Sequence, residues 1–368
     1  MRVGVIGGGQ LGRMLAWAGL PLGLDFIFLD PSPDAPAAAL GPLIVAPFED
    51  RNAVFQLAGS VDVVTYEFEN LAAPLLREVA AARAVLPPPL ALEVSQDRLL
   101  EKQLFQKLGI PTTRFVPIAS REDLEPALAL TGLPAMLKTR RFGYDGRGQA
   151  VIGDTALLDA AFQRFMGAPG GLLLENRVPF ERELSLVACR GRGGEIRFYP
   201  LAENVHQRGI LRSSRVPADV DAEVARAAMG YAKSLLDYLE YVGVLAIEFF
   251  LENGKLIANE MAPRVHNSGH WSIEAAETSQ FENHLRAITG LPLGQTRLRG
   301  EALLVNAVGR LPEVHSLLEL PGVHFHDYRK SPRPARKVGH ATVLAASVPE
   351  LEKIMPKLLV QMPFETAS

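Results

Sequence analysis

The sequence predicts an α/β protein of two or three domains, and three observations lead to that prediction. Its 368 residues are 48% hydrophobic and 21% charged, which is the composition of a globular protein with a sizeable core. Over roughly the first 90 residues, strand-like and helix-like patterns alternate, as they do in parallel α/β sheets. Further along, an apolar hairpin-like segment at residues 242–262 carries one acid on each of its two strands.

Composition excludes several classes of protein. The net charge of −3 creates no global field that would recruit nucleic acid or a membrane surface. No apolar run approaches the ~20 residues that a membrane helix needs, and Arg2–Ile6 reads as a strand rather than a signal peptide. Cys189 is the only cysteine, which excludes a disulfide within the chain and favours a reducing compartment. We therefore expect a cytoplasmic protein that binds neither nucleic acid nor membranes.

A glycine-rich loop separates the first predicted strand, Val3–Ile6, from the first predicted helix. Residues 7–12 read GGGQLG and fit G-x-G-x-x-G, and Asp30 lies near the distance expected for a ribose contact. Taken alone, the loop favours NAD about as strongly as any other ligand. The narrower inference is that amides at a helix N-terminus bind some anion or phosphate. Prolines 87–89 then mark a stiff break, and we place the end of this Rossmann-like domain at residue 94.

A helix is predicted after this break, with Ser95 as its cap and Asp97 in its first turn. Arg98 and Lys102 lie four residues apart and therefore share one face of the helix. A solvated basic stripe and a ligand-binding stripe fit this spacing equally well.

A strand, a glycine-rich loop and a second strand follow at residues 135–152. The first strand ends at Lys138, and the loop carries Gly143, Gly146 and Gly148 where an isolated hairpin turn would need one glycine. A Walker motif would continue into a helix instead of a strand. The pattern predicts a flap that closes over a triphosphate, with Lys138 supplying positive charge.

Two further predicted strands are rich in polar residues at their ends. The first, residues 172–178, is typical of a hinge that lines a base pocket, and in the second either Glu181 or Glu183 is placed to reach ribose hydroxyls. His206 is ambiguous, because a lone histidine is more often structural than functional.

An acidic hairpin is predicted around the turn Asn253-Gly254. Glu248 lies in the apolar run 242–250, where an unpaired charge would be costly, and Glu260 ends the returning strand. A two-residue loop would pair Glu248 with Asn259 and direct Glu260 to the other face of the sheet. A loop one residue longer, with a bulge at the turn, would put both acids on one face. We predict the longer loop, because only that register lets both carboxylates hold one metal ion.

Two polar loops complete the candidate site. Pro263 stops regular structure, so Arg264, His266 and Asn267 fall on a loop at a strand's end, a common location for catalytic groups. In the tail, residues 329–340 form a proline-braced basic loop, for which a solvated charge run and an anion site are equally good interpretations. Strand patterns around this loop and a helical pattern near 351–359 indicate a separate unit from residue 301 onward.

Together these segments resemble the ATP-grasp superfamily, and within it the ligases that carboxylate 5-aminoimidazole ribonucleotide in bacterial purine synthesis. The resemblance runs nearly from end to end. It is carried by residues 7–14 (GGGQLGRM), 65–71 (TYEFENL), 143–149 (GYDGRGQ), 259–271 (NEMAPRVHNSGHW) and 336–340 (RKVGH), of which the third and fourth are highly specific. Phe142 departs from the pattern, which leads us to expect glycine there.

The resemblance implies the fold, the reaction and the cofactors. We expect an N-terminal Rossmann-like (pre-ATP-grasp) domain at 1–94, an ATP-grasp domain at 95–300 with a flap-bearing lobe at about 112–180, and a small β-rich C-terminal domain at 301–368. The implied reaction joins bicarbonate to 5-aminoimidazole ribonucleotide and yields N5-carboxyaminoimidazole ribonucleotide, ADP and phosphate, with carboxyphosphate as the intermediate. ATP and Mg²⁺ (or Mn²⁺ in its place) are the implied cofactors, and a homodimer is the implied assembly.

The resemblance also assigns residues to each ligand. It places the metal on Glu248 and Glu260, and bicarbonate and then carboxyphosphate at Arg264, His266 and Asn267, with Lys138 also in a catalytic role. The implied ATP contacts are Arg98, Lys138, Tyr144, Asp145, Gly146, Arg147, Gly148, Gln149, Glu175, Asn176, Arg177, Val178, Glu183, His206, Asn259 and Glu260. The implied ribonucleotide contacts are Gly9, Gln10, Leu11, Glu67, Asp145, Lys330 and Arg336.

Three alternatives stay open at this point. They are another ATP-grasp carboxylase or formyl-transferring ligase, an NAD-dependent oxidoreductase built on the glycine loop, and a catalytically inactive ligand-binding protein. The oxidoreductase leaves the acid pair and both basic clusters unexplained. The intact acids and Arg264 argue against an inactive protein.

Overall fold

The computed structural model describes residues 1–143 and 146–366 of the chain. Tyr144 and Asp145, both predicted to contact ligands, lie outside the described residues. Within these ranges, no helix is long and apolar enough to cross a membrane.

The N-terminal part is a parallel sheet packed between helices. Val5 on the central strand pairs with Phe28 on one side and with Thr65 on the other. The central strands are buried along nearly their whole length, as expected for a parallel sheet covered on both faces. The elements are β1 (Arg2–Ile6), α1 (Gln10–Gly19), β2 (Asp25–Asp30), β3 (Leu43–Val45), α2 (Arg51–Gly59), β4 (Val63–Tyr66), α3 (Ala73–Ala80) and α4 (Pro89–Ser95), with the strands in the order β3-β2-β1-β4.

The next part is an antiparallel sheet that carries the predicted flap between two of its strands. Its elements are α5 (Arg98–Lys107), β5 (Phe115–Ile118), α6 (Leu124–Thr131), β6 (Ala135–Thr139), β7 (Gln149–Ile152), α7 (Ala156–Phe165) and β8 (Leu172–Asn176). The strand order is β5-β8-β6-β7, and Lys138 at the end of β6 pairs with Gln149 at the start of β7. The predicted strand–loop–strand arrangement of the flap is therefore confirmed.

The prediction that Ser95 caps the helix containing Arg98 is wrong. Ser95 instead ends α4, and its hydroxyl donates to the carbonyl of Leu92. The cap of α5 is Asp97, whose carboxylate accepts the amide N–H of Leu99 at 3.0 Å. Aspartate and serine are both good caps, so sequence preference alone did not choose between them.

The largest sheet joins the middle of the chain to the C-terminal region. Its elements are β9 (Arg182–Arg190), β10 (Ile196–Phe198), β11 (Ala202–Gln207), β12 (Ile210–Val216), α8 (Ala222–Tyr238), β13 (Gly243–Glu252), β14 (Lys255–Ala262), α9 (Ser272–Ala275), α10 (Gln280–Thr289), β15 (Glu301–Val308), α11 (Val314–Leu318), β16 (Val323–Asp327), β17 (Lys337–Ala345) and α12 (Val348–Gln361). The strand order is β14-β13-β9-β11-β12-β15-β17-β16, with β10 beside β9. Because β12 pairs with β15, the sheet runs continuously across the domain boundary predicted at residue 301.

Arg212 on β12 fastens the last helix to this sheet. Its guanidinium donates to the carbonyls of Leu359, Met362 and Pro363, at the C-terminal end of α12, and to the carbonyl of Asn306 on β15. The last carbonyls of a helix have no partner within the helix, and a cation there also suits the helix dipole. Arg212 is therefore the principal polar link between α12 and the sheet.

Replacing Arg212 should lower stability much more than replacing a neighbouring arginine. Each hydrogen bond from a charged group contributes about 1.5–3 kcal/mol, and Arg212→Met would leave several carbonyls without a donor. Calorimetric unfolding should therefore show a melting temperature several degrees lower for Arg212→Met. Arg215→Met is the matched control, since Arg215 lies 3.8 Å from Glu352 in a partly exposed pair worth less than about 1 kcal/mol. Equal shifts for the two variants would contradict the assignment.

Candidate functional site

Glu248 and Glu260 face each other across the β13–β14 hairpin. The turn is the two-residue Asn253-Gly254 loop, with Glu252 paired to Lys255 and positive φ angles of 50° and 72° at the two turn residues. The predicted longer loop is therefore wrong. The pairing nevertheless shifts by one residue between Glu248 and Phe249, so that Glu248 pairs with Glu260 and not with Asn259. The predicted placement of both acids on one face is confirmed, but the bulge that produces it lies in mid-strand.

The buried side chain of Lys102 stabilises this bulge. Its side chain is fully buried, and its ammonium donates to the carbonyls of Ala258 at 3.3 Å and Asn259 at 2.9 Å. Thr112 donates to the same Ala258 carbonyl at 2.8 Å. Lys102 therefore belongs to the protein interior, which excludes the solvated basic stripe as an interpretation of this residue. Asn259, a predicted ATP contact, is the extra residue of the bulge.

The two carboxylates have different electrostatic surroundings. Burial raises the pKa of Glu248 to about 7, with Glu260 adding to the rise, and the nearest nitrogen of His266, Nε2, lies 3.9 Å from its carboxylate. Although burial acts in the same direction on Glu260, Arg98 and Lys138 hold the pKa of that carboxyl below its usual value. Arg98 lies 3.2 Å from it. The pair combines two hard oxygen donors with incompletely neutralised charge, which fits a divalent cation such as Mg²⁺.

Lys138 and Glu175 form a buried ion pair at the base of the flap. Their side chains are 2.9 Å apart, and Lys102 lies 3.8 Å from the same carboxylate. Although burial opposes it, the nearby lysines hold the pKa of Glu175 down at about 2. Thr113 donates a further hydrogen bond to Glu175. The carboxylate thus fixes the position of Lys138, and Lys138 stands close enough to Glu260 to lower its pKa.

The predicted base-pocket residues lie where the flap-bearing sheet meets the largest sheet. Asn176 accepts the amide N–H of Arg114, the Arg177 amide donates to Pro134, and Val178 is buried. On the neighbouring sheet, Glu183 and His206 are joined by a 2.7 Å hydrogen bond. The pKa of His206 is raised because Glu183 and Glu248 outweigh the effect of burial.

The described part of the flap is tightly built around its glycines. Gly148 has a φ of 69°, and a Cβ there would meet Thr139 Oγ1 at 2.5 Å. Gly146 has a φ of 76° and approaches the backbone of Arg208 and Gly209. Phe142 also adopts a positive φ, 62°, and its ring is exposed. A position that favours glycine sterically therefore carries phenylalanine in this chain.

The Arg264 loop is held by Glu69 and Asn306. The resemblance offered Glu69 only as an alternative to Glu67 near the ribonucleotide, and no role was predicted for Asn306. Glu69 accepts the Arg264 Nε–H at 2.7 Å and pairs with its NH2 at 2.6 Å, which fixes the guanidinium plane. Asn267 and Asn306 exchange two amide hydrogen bonds, at 3.0 and 2.8 Å.

His266 completes the same loop. Burial, with Arg264 next in effect, lowers the pKa of His266 well below its usual value, so the imidazole is neutral at physiological pH. Its Nδ1 lies 2.9 Å from the Ser268 hydroxyl.

A side chain occupies the amide cradle of the N-terminal glycine loop. The Glu67 carboxylate accepts the amide N–H of Gly9 and, at 2.5 Å, that of Gly12, while Asp30 accepts the N–H of Gly8. A Cβ on Gly7 would collide with the Glu67 side chain. The amides at this helix N-terminus therefore bind an anion, as the narrower inference expected, and in this structure the anion is the carboxylate of Glu67. The glycines are explained by the close approach of Glu67, and the case for NAD loses its main support.

One cavity of about 770 Å³ brings the predicted substrate residues together. It is lined by Gly9, Gln10, Leu11, Glu67, Arg98, Arg147, Glu260, Arg264, His266, Asn267, Lys330 and Arg336, among others. Lys330 is half-buried. Although Glu67 acts in the opposite direction, burial, with Arg336 and Lys337 adding to its effect, lowers the pKa of the Lys330 ammonium to about 8. The cavity thus connects the Arg264 loop with the basic loop of the tail.

Replacing Lys102 should weaken metal binding at the acid pair. The hydrogen bonds from Lys102 to the bulge carbonyls contribute about 1.5–3 kcal/mol. If all of this stabilises the register in which the two acids face each other, its loss lowers the Mn²⁺ affinity roughly tenfold to hundredfold. Electron paramagnetic resonance of free Mn²⁺ in the presence of ADP measures this for Lys102→Met, and Thr112→Val should show a smaller loss.

Lys107→Met, on the exposed side of the same helix, is the control and should bind Mn²⁺ as the unmodified protein does. A Lys102→Met protein that melts at a lower temperature but retains full Mn²⁺ affinity would show that Lys102 stabilises the fold without positioning Glu260.

Family models match the three parts of the chain in order. A ribonucleotide synthetase preATP-grasp domain matches residues 1–96, an ATP-grasp domain matches residues 103–281, and a phosphoribosylaminoimidazole carboxylase C-terminal domain matches residues 302–354. The N5-carboxyaminoimidazole ribonucleotide synthase of Pseudomonas aeruginosa is 50% identical over 346 residues, which is 94% of this chain and 95% of the relative. That of Brucella melitensis is 45% identical over 346 residues, covering 92% and 95%.

Solved structures agree with these matches. The crystal structure of N5-carboxyaminoimidazole ribonucleotide synthetase from Thermus thermophilus superposes with a TM-score of 0.92 at 50% identity, covering 98% of both chains. The enzyme of Aspergillus clavatus in complex with ADP and 5-aminoimidazole ribonucleotide superposes with a TM-score of 0.91 at 30% identity, again over 98% of both chains. The predicted fold class is confirmed, and the chain belongs to the N5-carboxyaminoimidazole ribonucleotide synthetase family of ATP-grasp proteins.

Proposed function

We propose that this chain is an ATP-dependent carboxylating ligase of purine biosynthesis. It joins bicarbonate to 5-aminoimidazole ribonucleotide and forms N5-carboxyaminoimidazole ribonucleotide, ADP and phosphate. The observation that carries the proposal is one cavity that is lined by Glu260 and Arg264 together with Lys330 and Arg336. The names of its relatives, one of them solved with ADP and the ribonucleotide, support the same reaction.

We assign the triphosphate to the acid pair and the base of the flap. Glu248 and Glu260 would hold Mg²⁺, which when bound neutralises charge on the phosphates during phosphoryl transfer. Lys138, fixed by Glu175, and Arg98 add positive charge on the same side. The remaining nucleotide contacts proposed are the flap residues 144–149, the hinge residues 175–178, Glu183, His206 and Asn259.

Bicarbonate is assigned to the Arg264 loop. Bicarbonate is a poor electrophile, so it is first phosphorylated to carboxyphosphate, and this step needs orientation and charge neutralisation more than a protein nucleophile. An arginine held in plane by Glu69 presents the paired donors that a carboxylate or phosphate accepts. His266 is neutral and therefore acts as a hydrogen-bonding group and not as a cation. Carboxyphosphate then breaks its bond between carbon and the bridging oxygen and yields CO2 and phosphate. As the exocyclic amine of the ribonucleotide attacks CO2, the phosphate can take the proton that the amine loses.

The ribonucleotide is assigned to the part of the cavity lined by the basic loop of the tail. Lys330 and Arg336 would supply positive charge for its phosphate, and Gln10 and Leu11 line the same cavity. Asp145 is proposed as a further contact from the family resemblance. Because Glu67 occupies the glycine-loop amides, we assign it and Gly9 to shaping this wall. An NAD-dependent oxidoreductase is disfavoured for the same reason, since the pyrophosphate would have to displace the Glu67 carboxylate from these amides.

The domain organisation, assembly and compartment are proposed on similar grounds. Division at residues 94 and 300 is supported by family matches over 1–96, 103–281 and 302–354. A homodimer in the cytoplasm is proposed from the family resemblance.

The reaction predicts that ATP hydrolysis depends on bicarbonate. Purified protein with Mg-ATP should release phosphate only when bicarbonate is present, and faster when 5-aminoimidazole ribonucleotide is added, because phosphoryl transfer requires the bicarbonate oxygen as acceptor. Phosphate release and mass spectrometry of the product check this. Glu260→Gln, which removes one charge from the proposed metal pair, should reduce the rate by ~10²-fold or more. Equal phosphate release in bicarbonate-free buffer would contradict the assignment.

The lowered pKa of Lys330 leads us to expect a loss of ribonucleotide affinity at alkaline pH. Its lowered pKa means that the ammonium is charged below about pH 8 and becomes neutral as the pH rises through that value. At saturating ATP and bicarbonate, kcat/KM for the ribonucleotide should therefore be level below about pH 8 and fall above it, by up to roughly tenfold to hundredfold.

Two variants test the origin of this alkaline fall. Lys330→Arg, which keeps its charge, should remove the fall, and Lys330→Gln should have low kcat/KM at every pH. An unchanged fall in Lys330→Arg would assign the titration to another group.

A further inference from the structure

A second cluster of metal-ligating side chains lies apart from the acid pair, where the C-terminal hairpin packs against α9. His326 on β16 and His340 on β17 are direct cross-strand partners, and their rings stack with centroids 4.6 Å apart. Glu274 on α9 reaches this pair, with Oε1 2.6 Å from His326 Nε2. One ligand atom of each residue lies within 4.8 Å of those of the other two.

The cluster leaves polar atoms buried without partners. His340 is fully buried, and the side chain of Glu274 is 8% exposed. Within residues 1–143 and 146–366, neither His340 Nε2 nor Glu274 Oε2 has a hydrogen-bond partner. An unpaired buried polar atom costs about 1–3 kcal/mol, so two in one cluster indicate that something polar belongs between them.

The free atoms have the character of metal ligands. His340 Nδ1 lies 2.9 Å from the Tyr328 hydroxyl, which orients the ring and leaves Nε2 as the nitrogen available to a metal ion. Two imidazole nitrogens and a carboxylate are a donor set typical of Zn²⁺, whereas Mg²⁺ prefers oxygen alone. Ligands of a tetrahedral zinc ion lie roughly 3.4 Å apart. The 2.6 Å contact must therefore open, and the wider separations, which are at most 4.8 Å, must close by up to about 1.4 Å.

We propose that Glu274, His326 and His340 bind a zinc ion that ties the C-terminal β16–β17 hairpin to α9. The ion would take the place of the proton shared by Glu274 and His326, which is released on binding, and would also engage His340 Nε2. A water molecule supplies the fourth ligand. The side chain of His326 is 18% exposed and gives the ion its route of entry.

The position of this site gives it a structural role. Helix α9 follows the loop of Arg264 and His266, and the β16–β17 hairpin carries the basic loop with Lys330 and Arg336. A zinc ion between them would fix the distance between the two loops that line the cavity. The inference does not depend on the proposed reaction, since none of the three ligands lines that cavity.

Metal titration of the full-length protein tests the proposal. After chelator treatment, Co²⁺ is added as a spectroscopic substitute for Zn²⁺ in excess Mg²⁺, which keeps the oxygen-ligand pair occupied. We expect one equivalent to bind with the visible absorption of nitrogen-ligated, low-coordinate Co²⁺, and Zn²⁺ to displace it. One equivalent of Zn²⁺ should also raise the melting temperature.

Variants locate the ion. His326→Gln and Glu274→Gln, which keep the size of the side chains, should lower Zn²⁺ affinity at least about 100-fold, since even the loss of a ligand's hydrogen-bonding partner costs about 10–100-fold. His315→Gln is the matched control, because His315 is an exposed histidine of the same C-terminal region and should change nothing. Glu260→Gln should also leave Co²⁺ binding intact.

Two results would overturn the proposal. Loss of the Co²⁺ spectrum in Glu260→Gln, with retention in His326→Gln, would place the ion at the acid pair. Absence of stoichiometric binding in the unmodified protein would show that water, and not a metal ion, fills the cluster.

Discussion

The extra residue in β14 is the constraint on which the rest of the site depends. A regular hairpin closed by Asn253-Gly254 would pair Glu248 with Asn259 and turn Glu260 to the opposite face. The bulge at Asn259 instead pairs the two carboxylates. A bulge disrupts local pairing and persists only where other contacts support it, and here the buried ammonium of Lys102 binds the carbonyls on both of its residues.

The same lysine connects the bulge to the charges around the proposed phosphate site. Lys102 lies 3.8 Å from Glu175, which pairs with Lys138, and Glu260 pairs with Arg98. Buried charges are costly to desolvate and are weak evidence for stability, so a network of this size is better explained by function than by folding. Each of these three cations is paired with an acid, so that positive charge is already in position at the proposed phosphate site before a ligand binds.

Sequence patterns predicted the elements well where a local cause determines them. The flap strands, the parallel sheet and the position of the turn at Asn253-Gly254, though not its length, all follow from residue types within a few positions. The register of the strands and the contact partners of individual side chains were harder to predict, because both depend on residues that are distant in the sequence. Nothing near Asn259 indicates that Lys102, 157 residues earlier, would stabilise a bulge there, and helical spacing could not show that Lys102 is buried.

The glycine loop shows a second limit of sequence reasoning. The pattern G-x-G-x-x-G indicates only that some group comes close to the backbone of the loop, and it does not identify that group. In this chain the approaching group is Glu67, a residue from the next parallel strand's end, so the pattern describes an internal contact. Similarly, Glu69 and Asn306 position Arg264 and Asn267 from distant segments, and only the fold brings them together.

Transfer of oxygen from bicarbonate to phosphate tests the central claim most directly, namely that the facing carboxylates and the Arg264 loop serve to phosphorylate bicarbonate. The protein would be supplied with freshly dissolved ¹⁸O-labelled bicarbonate, Mg-ATP and 5-aminoimidazole ribonucleotide, and the reaction stopped before the label exchanges with water. The account predicts that each phosphate released carries one oxygen from bicarbonate, because the bridging oxygen of carboxyphosphate leaves with phosphorus. Phosphate that carries no label while carboxylated product accumulates would contradict it.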